Sequence, residues 1–310
     1  MRIEPERAAP AHLDPAHPAH LPFARREPES AHPDRAPDPA PAFALPGPPR
    51  AQPEPAPDPA LPQRLRGKVG GAVRVGDTVL RPIGPWTPAV HALLEHLARA
   101  GLRGVPGVAG IEGGREVLPY IPGRSLDPDA ELASDAELAG AVTWLRDYHA
   151  AVASFRPTEP LRWRSSAEPM RLAADQIVTH NDPGAYNWVV SGGAFVGMID
   201  WDMAGPGHPL EDLAFLCWTG IPLHRELLAA DAARRLRRVA RLYGGFTPAE
   251  ILDAAVARMR VAAERIAAGQ RRGDPGLLAL GQAGEPERTL ERLADFAVRR
   301  PAIDAALASG

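Results

Sequence analysis

The chain has 310 residues, a net charge of -3 at pH 7 and 45% hydrophobic residues, so it can build one or two hydrophobic cores. The near-neutral balance argues against a nucleic-acid partner, because it gives no overall positive surface. The single cysteine, Cys217, excludes an internal disulfide, and no apolar run approaches the ~20 residues that span a bilayer. We expect a cytoplasmic protein with no membrane contact and no obligate protein partner.

Residues 1–62 differ in composition from the rest of the chain and contain half of its 36 prolines. Such a segment cannot bury enough apolar surface to offset the entropy lost on ordering. It also lacks the positively charged start and apolar core of a secretory signal. We expect these residues to be disordered, either as a tether or because the translation start is placed too far upstream.

Residues 63–122 are predicted to form a small antiparallel sheet with one helix. A glycine-rich segment precedes a strand at residues 72–75, and a two-residue Gly-Asp turn leads to a second strand that ends at Arg81. Glycines at the lip of a strand pair let backbone N–H groups approach phosphates, which makes Gly70 and Gly71 candidate nucleotide contacts. Without further motifs, the pattern is more typical of an ordinary hairpin.

A helix is predicted to begin at Thr87 and to end at Gly101, because its apolar residues follow the three-four spacing of one buried face. His91 and Glu95 lie four residues apart on another face. Two more strands are expected from 108 to 111 and from 116 to 121. The Pro-Gly step after the second strand is interpreted as a hinge to a helical lobe.

Residues 123–310 are predicted to be mainly helical. Ser134 and Glu137 form a capping box at the start of a long helix. Further helices are expected at residues 226–243, 248–269 and 286–298. The first of these carries four arginines that we interpret as a solvated helix face, namely Arg234, Arg235, Arg237 and Arg238.

The side chains that can carry chemistry concentrate between residues 177 and 214. A β-branched run leads into His-Asn-Asp, so Asp182 is expected at the mouth of a loop that follows a strand. Residues 188–199 form a hairpin through a Ser-Gly-Gly turn. A hairpin brings the residue before its first strand close to the residue after its second, so Asn187 and Asp200 are expected to be neighbours.

An amide oxygen and a carboxylate at one edge form a hard oxygen site that suits Mg²⁺, which completes its shell with water and phosphate oxygens. Asp182 is then a second carboxylate, which can accept a hydroxyl proton or orient the hydroxyl for attack on phosphorus. These parts predict a phosphoryl-transfer site. Ordinary turn chemistry is the alternative for Asp182, Asn187 and Asp200.

The segment HNDPGAYN, which begins at His180, resembles the H-x-D-x-x-x-x-N catalytic loop of kinases. The Ile-Asp-Trp motif around Asp200, the glycines after it and the Asp-Leu-Ala motif at Asp212 are similar to the aminoglycoside phosphotransferase and choline kinase-like branch. The resemblance covers roughly residues 65–220. It implies an α+β, bilobal, protein-kinase-like fold, with a small antiparallel-sheet N-lobe that holds one helix and a larger, mainly helical C-lobe.

The resemblance also implies roles for single residues in the catalytic loop. Asp182 would be the catalytic base, and Asn187 and Asp200 would hold Mg²⁺. His180 and Asp212 would brace the loop. On its own, a histidine such as His180 is more often structural, and capping of a helix N-terminus is the alternative for Asp212.

On the nucleotide side, Arg81 stands where kinases carry a lysine for the α- and β-phosphates, a change that keeps the charge but alters the geometry. Glu95, rather than His91, would pair with Arg81. Leu118 would pack on the adenine ring, and the backbone near Tyr120 would hydrogen-bond it. The alternatives are a surface arginine, a solvated glutamate and an interdomain connector without a ligand.

The expected activity is transfer of the γ-phosphate of ATP or GTP to a hydroxyl group of a small molecule. Only eleven residues separate Asp200 from Asp212, fewer than protein kinases need to display a peptide. Residues 221–310 hold fifteen arginines and eleven carboxylates, which disfavours a polycationic acceptor. Two alternatives stay open. One is an inactive nucleotide-binding module, and the other is a metal-dependent hydrolase that uses His180, Asp182, Asp200 and His208.

Overall fold

The structure is a computed structural model that describes residues 62–65 and 71–309. The segment expected to be disordered, residues 1–62, lies outside the described residues except for Pro62. Gly70, one of the two glycines predicted to contact a nucleotide, also lies outside them.

The N-terminal part is a five-stranded antiparallel sheet with one helix, as the sequence predicts. The strand order is β1-β2-β3-β5-β4. The strands are β1 (Gln63–Arg64), β2 (Val73–Val75), β3 (Thr78–Pro82), β4 (Gly110–Glu112) and β5 (Arg115–Pro119). Helix α1 (Thr87–Arg99) packs its apolar stripe, Leu93, Leu94 and Leu97, into the core with less than 2% of each residue exposed.

The C-terminal part is mainly helical. Its helices are α2 (Asp135–Val152), α3 (Pro209–Gly220), α4 (Ala229–Tyr243), α5 (Pro248–Arg271), α6 (Pro275–Gln282) and α7 (Glu287–Ala308). The capping box that starts α2 is formed, since the Ser134 hydroxyl accepts from the Glu137 N–H and the Glu137 carboxylate accepts from the Ser134 N–H. Helix α6 was not predicted, and α7 is longer than expected. None of the helices in the described ranges is both long and apolar enough to cross a membrane.

Two small sheets connect the helices to the candidate catalytic residues. One contains β6 (Arg124–Ser125) and the predicted hairpin, β8 (Trp188–Ser191) with β9 (Ala194–Met198). The other pairs β7 (Ile177–Thr179) with β10 (Gly205–Gly207), a Gly-Pro-Gly strand that the sequence did not predict.

Buried aromatic residues fix the loop between β7 and β8 to the core. The Trp188 indole donates to the Pro183 carbonyl at 3.0 Å, and the Tyr148 hydroxyl donates to the Val178 carbonyl at 2.7 Å. Trp201 packs against the imidazole of His180, the first residue of the loop, with ring centroids 4.6 Å apart. Because the Trp188 indole and the Tyr148 hydroxyl are buried and hydrogen-bonded, they hold the backbone of the loop and of the preceding strand β7 as well as filling volume.

The four arginines of α4 do not form one solvated face, so that interpretation is wrong for Arg235. Its guanidinium is only 3% exposed and pairs with Asp135 at 3.1 Å. It also donates to the carbonyls of Ala133 at 2.6 Å and Gly220 at 3.1 Å. Arg234 pairs with the same carboxylate from a position that is 51% exposed. Arg235 is therefore a buried junction that joins α4 to the start of α2 and to the end of α3.

We expect Arg235→Ala to lower the free energy of unfolding by about 2–4 kcal/mol, because it leaves two buried carbonyls without a donor. The Asp135 carboxylate adds little to this loss, since it is 37% exposed and keeps its contact with Arg234. Arg234→Ala is the matched control, since it removes an exposed contact to the same carboxylate and is expected to cost far less. Urea denaturation of both variants measures the difference. Equal losses would contradict the assignment of Arg235 as the buried junction.

Candidate active site

The candidate site begins at the end of β7, where His180 is fully buried. Its Nε2 donates to the Ile199 carbonyl at 3.2 Å, and its Nδ1 accepts from the Asp182 N–H at 3.3 Å. Burial is the main cause that lowers the pKa of His180, so the ring is neutral and carries its proton on Nε2. With both nitrogens engaged, His180 acts as a structural link between the loop and the hairpin.

Asp212, in the first turn of α3, is also fully buried. Its carboxylate accepts from the N–H groups of His180 at 2.7 Å and Asn181 at 2.8 Å, and from His149 Nε2 at 3.1 Å. Burial alone would raise the pKa of Asp212, but the interaction with His149 and the backbone donors outweigh it and hold the pKa below its ordinary value. The carboxylate thus ties two consecutive loop amides to α3.

The loop and the hairpin each contain a residue with left-handed backbone geometry. Asn181 has a φ of 65° and Asp200 a φ of 63°, and these are the positive-φ residues other than glycine in the described chain. A side chain at such a φ is strained, and strain of this kind concentrates at functional sites. Asn181 directly precedes the predicted catalytic base, and Asp200 is itself a predicted metal ligand.

Asp182 is half-buried, and its carboxylate is contacted by two neighbours in the loop. Asn187 Nδ2 donates to its Oδ2 at 3.0 Å, and the Tyr186 hydroxyl donates to its Oδ1. Burial, together with the nearby charge of Asp200, raises the pKa of Asp182 from 3.8 to about 7 against the opposing effects of Tyr186, Arg258 and Asn187. A carboxyl group that titrates near neutral pH is suited to exchange a proton with a substrate.

The hairpin brings Asn187 next to Asp200, as its geometry predicts, because the Ile199 N–H donates to the Asn187 carbonyl at 2.9 Å. The amide nitrogen of Asn187 is engaged by Asp182, so its amide oxygen is the atom that can coordinate a cation. The Asp200 side chain is 44% exposed. One amide oxygen and one exposed carboxylate are ligands of the kind that Mg²⁺ accepts. The described residues contain no cluster of three or more His, Cys, Asp or Glu side chains that could hold a metal ion by themselves.

Arg81, on β3, lies against three carboxylates. Its Nε is 3.6 Å from Glu116, and its Nη2 is 3.1 Å from Asp200 and 2.8 Å from Asp202. The guanidinium is therefore positioned between the sheet and the hairpin. Burial works to lower the pKa of Arg81, but the three carboxylates outweigh it and raise that pKa, so the charge is retained.

The structure corrects the expected pairing of Arg81 with Glu95. Glu95 is exposed on α1, whereas Glu116 is 3% exposed and lies opposite Arg81 in the β3–β5 register. Helix α1 reaches this pair through the other candidate, since His91 Nε2 is 2.9 Å from Glu116. The signal available in the sequence was a glutamate inside an apolar strand, whereas its position opposite the arginine depends on the strand register.

Other residues of the site were also missed from the sequence. Asp202 is 19% exposed and bridges Arg81 to Arg164, which is 3.2 Å away. Arg164 in turn pairs with Asp274 at 3.3 Å and lies over the Trp86 ring at 4.5 Å. This charge cluster joins the end of β3, the hairpin and the start of α6, and only the tertiary fold brings its members together.

The residues predicted to contact a nucleotide base and phosphates occupy the sheet and its exit. Gly71 has a φ of 94°, so only glycine fits there without strain. Leu118 is 5% exposed on β5. The Tyr120 hydroxyl donates to the Gly123 carbonyl at 3.1 Å, and its ring packs under the Arg74 guanidinium at 3.8 Å.

A cavity of about 440 Å³ lies away from these residues, between α2 and the hairpin. Gly140, Trp144 and Phe195 contribute to its lining. It contains neither the catalytic loop nor the predicted nucleotide contacts, so it belongs to a different surface.

The fold belongs to the bilobal protein-kinase-like class. Its defining parts are the small sheet with one helix, the mainly helical part and the loop between β7 and β8. A choline/ethanolamine kinase family protein from Mesorhizobium loti matches with a TM-score of 0.51 and 19% identity, over 80% of this chain and 91% of that chain. The predicted α+β fold class is thereby confirmed. An amicoumacin kinase in complex with AMP-PNP, Ca²⁺ and Ami gives a TM-score of 0.48 at 16% identity, over 76% of this chain and 83% of that chain.

Residues 166–250 match the model of the phosphotransferase enzyme family known as APH. This segment contains the loop, the hairpin and the Asp-Leu-Ala motif, so the resemblance predicted from the sequence is confirmed there. A trifolitoxin immunity protein from Rhizobium leguminosarum bv. trifolii is 36% identical over 166 residues, or 53% of this chain. The chain spans 61% of the length of that relative.

The raised pKa of Asp182 predicts how stability changes with pH in the metal-free protein. The folded chain binds a proton at Asp182 more tightly than the unfolded chain, so this stabilisation is complete below about pH 4 and is lost as the pH rises through about 7. The stabilisation lost is on the order of 1.4 kcal/mol for each unit by which the pKa of Asp182 in the folded chain exceeds that in the unfolded chain. We expect Asp182→Asn to remove this component and to be more stable than the parent protein at pH 8.

Urea denaturation of the parent and of Asp182→Asn at pH 5 and pH 8, without metal or nucleotide, measures this difference. Asp295→Asn, at an exposed site on α7, is the matched control and is expected to leave the pH dependence unchanged. A parent protein whose stability rises from pH 5 to pH 8 relative to Asp182→Asn would contradict the prediction.

Proposed function

We propose that this protein is a phosphotransferase that moves the γ-phosphate of ATP or GTP to a hydroxyl group of a small molecule with the help of Mg²⁺. One observation carries the proposal: the side chains of Asp182 and Asn187 are hydrogen-bonded at 3.0 Å, and the hairpin sets Asn187 beside Asp200. The match of residues 166–250 to the APH family supports the same class of reaction.

In this proposal Asp182 accepts a hydrogen bond from the acceptor hydroxyl and orients it for in-line attack on phosphorus. The Tyr186 hydroxyl, which donates to Asp182 Oδ1, marks the position that an acceptor hydroxyl would take. Tyr186 is 38% exposed, so its ring can turn away when the acceptor binds. Because the transition state of phosphoryl transfer is loose, orienting the hydroxyl matters more than removing its proton early.

Asn187 and Asp200 would hold Mg²⁺ through an amide oxygen and a carboxylate. When bound, the ion would supply charge neutralisation on the β- and γ-phosphate oxygens. Arg81, held by Glu116 on one side, would turn from Asp200 and Asp202 towards those oxygens. The triphosphate carries a larger negative charge than either carboxylate, so Arg81 would favour the phosphate oxygens over Asp200 and Asp202 once the nucleotide is bound.

The alternative of a metal-dependent hydrolase is less well supported. Both ring nitrogens of His180 are engaged, with the Ile199 carbonyl and the Asp182 N–H, so His180 has no lone pair for a metal. His208 is exposed at the start of α3. An inactive nucleotide-binding module stays an alternative because Arg81 replaces the usual lysine.

A role in immunity to a toxin is a second candidate for the biological purpose of the activity. It is favoured by the 36% identity with the trifolitoxin immunity protein over 166 residues. Transfer of a phosphate to a hydroxyl group of a toxin by the site described above would join this role to the proposed reaction.

We expect Asp182→Asn to lower phosphate transfer by about 10²–10⁴-fold, because the amide cannot orient or deprotonate the acceptor hydroxyl. Binding of Mg-nucleotide, measured as thermal stabilisation, is expected to persist in Asp182→Asn and to be lost in Asp200→Asn. The assay is a Mg-ATP and Mg-GTP transfer screen over amino sugars, amino alcohols, nucleosides and macrolides, with mass detection of the phosphorylated product.

Asp295→Asn again serves as the exposed control and is expected to transfer phosphate at the parent rate. Undiminished transfer by Asp182→Asn would refute the role of this carboxylate. Thermal stabilisation by Mg-nucleotide with no transfer to any hydroxyl compound would favour the inactive module instead.

A further inference from the structure

Arg258, on α5, reaches the catalytic loop from the helical part of the molecule. The residue is 5% exposed, and its Nη2 donates to the Asn181 carbonyl at 2.5 Å, one residue before Asp182. Its guanidinium also lies 5.1 Å from the ring centroid of Phe215 on α3. Arg258 is close enough to the loop for its charge to lower the pKa of Asp182.

Most of the hydrogen-bonding capacity of Arg258 is unused. Its Nε and Nη1 are buried and have no hydrogen-bond partner in the described part of the chain. Arg265 lies seven residues later, two turns along the same face of α5. Its Nη1 is also buried and has no hydrogen-bond partner in the described part of the chain. Neither guanidinium forms an ion pair with a described carboxylate.

The charges of these two arginines act on each other. Burial, and then the charge of Arg258, lower the pKa of Arg265, and among the described residues the compensating charge is that of Glu211 on α3. Glu211 does not reach hydrogen-bonding distance of either guanidinium among the described contacts. The carboxyl groups of Asp182 and Glu211 thus lie within electrostatic reach of Arg258 and Arg265, but no described carboxylate forms an ion pair with either guanidinium.

An unpaired buried charge costs several kcal/mol, so folded proteins normally pair such groups. The same chain does so at Arg235, where the buried guanidinium meets one carboxylate and two carbonyls, although its Nε has no hydrogen-bond partner in the described part of the chain. Arg164 and Arg235 each also have one buried nitrogen without a described partner, but both form ion pairs, whereas Arg258 and Arg265 form none with the described residues. An external anion would supply the partner that these two guanidinium groups lack. Guanidinium groups match the planar oxygens of carboxylates and phosphates through paired hydrogen bonds.

We propose that Arg258 and Arg265 bind an anionic group of the acceptor, a carboxylate or a phosphate, so that the substrate is an anionic hydroxyl compound. This inference rests on the proposed phosphotransferase function. The anion would lie against α5, and its contact with Arg258 would place the rest of the acceptor next to Asn181 and Asp182. The acceptor hydroxyl would then displace the Tyr186 hydroxyl from Asp182.

A narrower role for Arg258 alone is that of an electrostatic partner of the Asp182 carboxylate. That role does not involve Arg265, which has no described contact with the catalytic loop. Arg265 is therefore the residue whose substitution separates the two explanations. A third explanation, contact with the phosphates of the nucleotide, is separated by testing anion binding while the nucleotide site is filled.

The experiment measures the binding of sulfate, as the anion probe, to the full chain saturated with Mg-AMP-PNP. Thermal stabilisation by sodium sulfate is compared with that by sodium chloride at equal ionic strength, and a dissociation constant is obtained by titration. The variants are Arg258→Lys, Arg265→Gln and the matched control Arg260→Gln, which lies on the exposed face of α5.

We expect sulfate to bind the parent and Arg260→Gln equally, and to bind Arg265→Gln and Arg258→Lys at least about 10-fold more weakly, the loss of one charge-assisted hydrogen bond. Unchanged sulfate binding by Arg265→Gln, or no specific sulfate binding by the parent, would overturn the proposal. Sulfate binding that appears only without Mg-AMP-PNP would also overturn it, and would assign the arginines to the nucleotide phosphates.

The transfer assay distinguishes this proposal from the one on which it rests. Hydroxy acids and their uncharged amides are compared as acceptors, and we expect the KM of the acid to be the lower one in the parent but not in Arg265→Gln. Specific sulfate binding without transfer to any hydroxyl compound would refute the proposed phosphotransferase function and support the anion site. Transfer only to uncharged or cationic hydroxyl compounds would refute the anion site and support the proposed phosphotransferase function.

Discussion

The candidate site depends on one buried carboxylate, that of Asp212. A carboxylate without exposure to water is stable only when its oxygens are fully hydrogen-bonded, and Asp212 meets this condition with the N–H groups of His180 and Asn181 and with His149. Two consecutive amides that point at one carboxylate turn the chain sharply, which explains the positive φ of Asn181. That turn sets the direction in which Asp182 leaves the core.

A second constraint acts on the other side of the site through charge. Asp200 is held in a left-handed conformation while its carboxylate accepts from Arg81 at 3.1 Å. Arg81 is fixed by Glu116 across the sheet, and Asp202 continues the network to Arg164. Such a network is satisfied only when the sheet and the hairpin approach each other. The arrangement of these charges therefore couples the position of the sheet to the geometry of Asp200.

The sequence was most informative where chemistry and local geometry coincide. The hairpin between Asn187 and Asp200 could be predicted because a Ser-Gly-Gly turn joins two apolar runs, and a hairpin necessarily brings its ends together. The capping box of Ser134 and Glu137 was equally local. The β7–β10 pair could not be predicted in this way, since a strand made of Gly-Pro-Gly is stabilised by its partner and by burial rather than by its own propensity.

Contacts that depend on burial were less accessible to prediction. Glu95 and Glu116 were both available in the sequence as partners of Arg81, and the choice of Glu116 depends on the β3–β5 register, which sequence periodicity does not define. Similarly, a basic helix segment suggested a solvated face, but Arg235 is buried because Asp135 and two carbonyls come from other segments. A charge pattern indicates which residues are available, whereas the fold determines which of them lose water.

The buried arginines of α4 and α5 differ in how the protein compensates their loss of water. Arg235 meets partners for most of its donors within the chain, so its burial contributes to the junction between helices. Arg258 is buried to a similar degree but meets one carbonyl and an aromatic ring, with two of its nitrogens unsatisfied. Both side chains are costly to bury, yet among the described residues only Arg235 forms an ion pair. A buried charge without an ion pair costs folding free energy, and a bound ligand can offset that cost. The position of Arg258 beside the catalytic loop therefore indicates a role in function, whereas the ion pair of Arg235 indicates a role in stability.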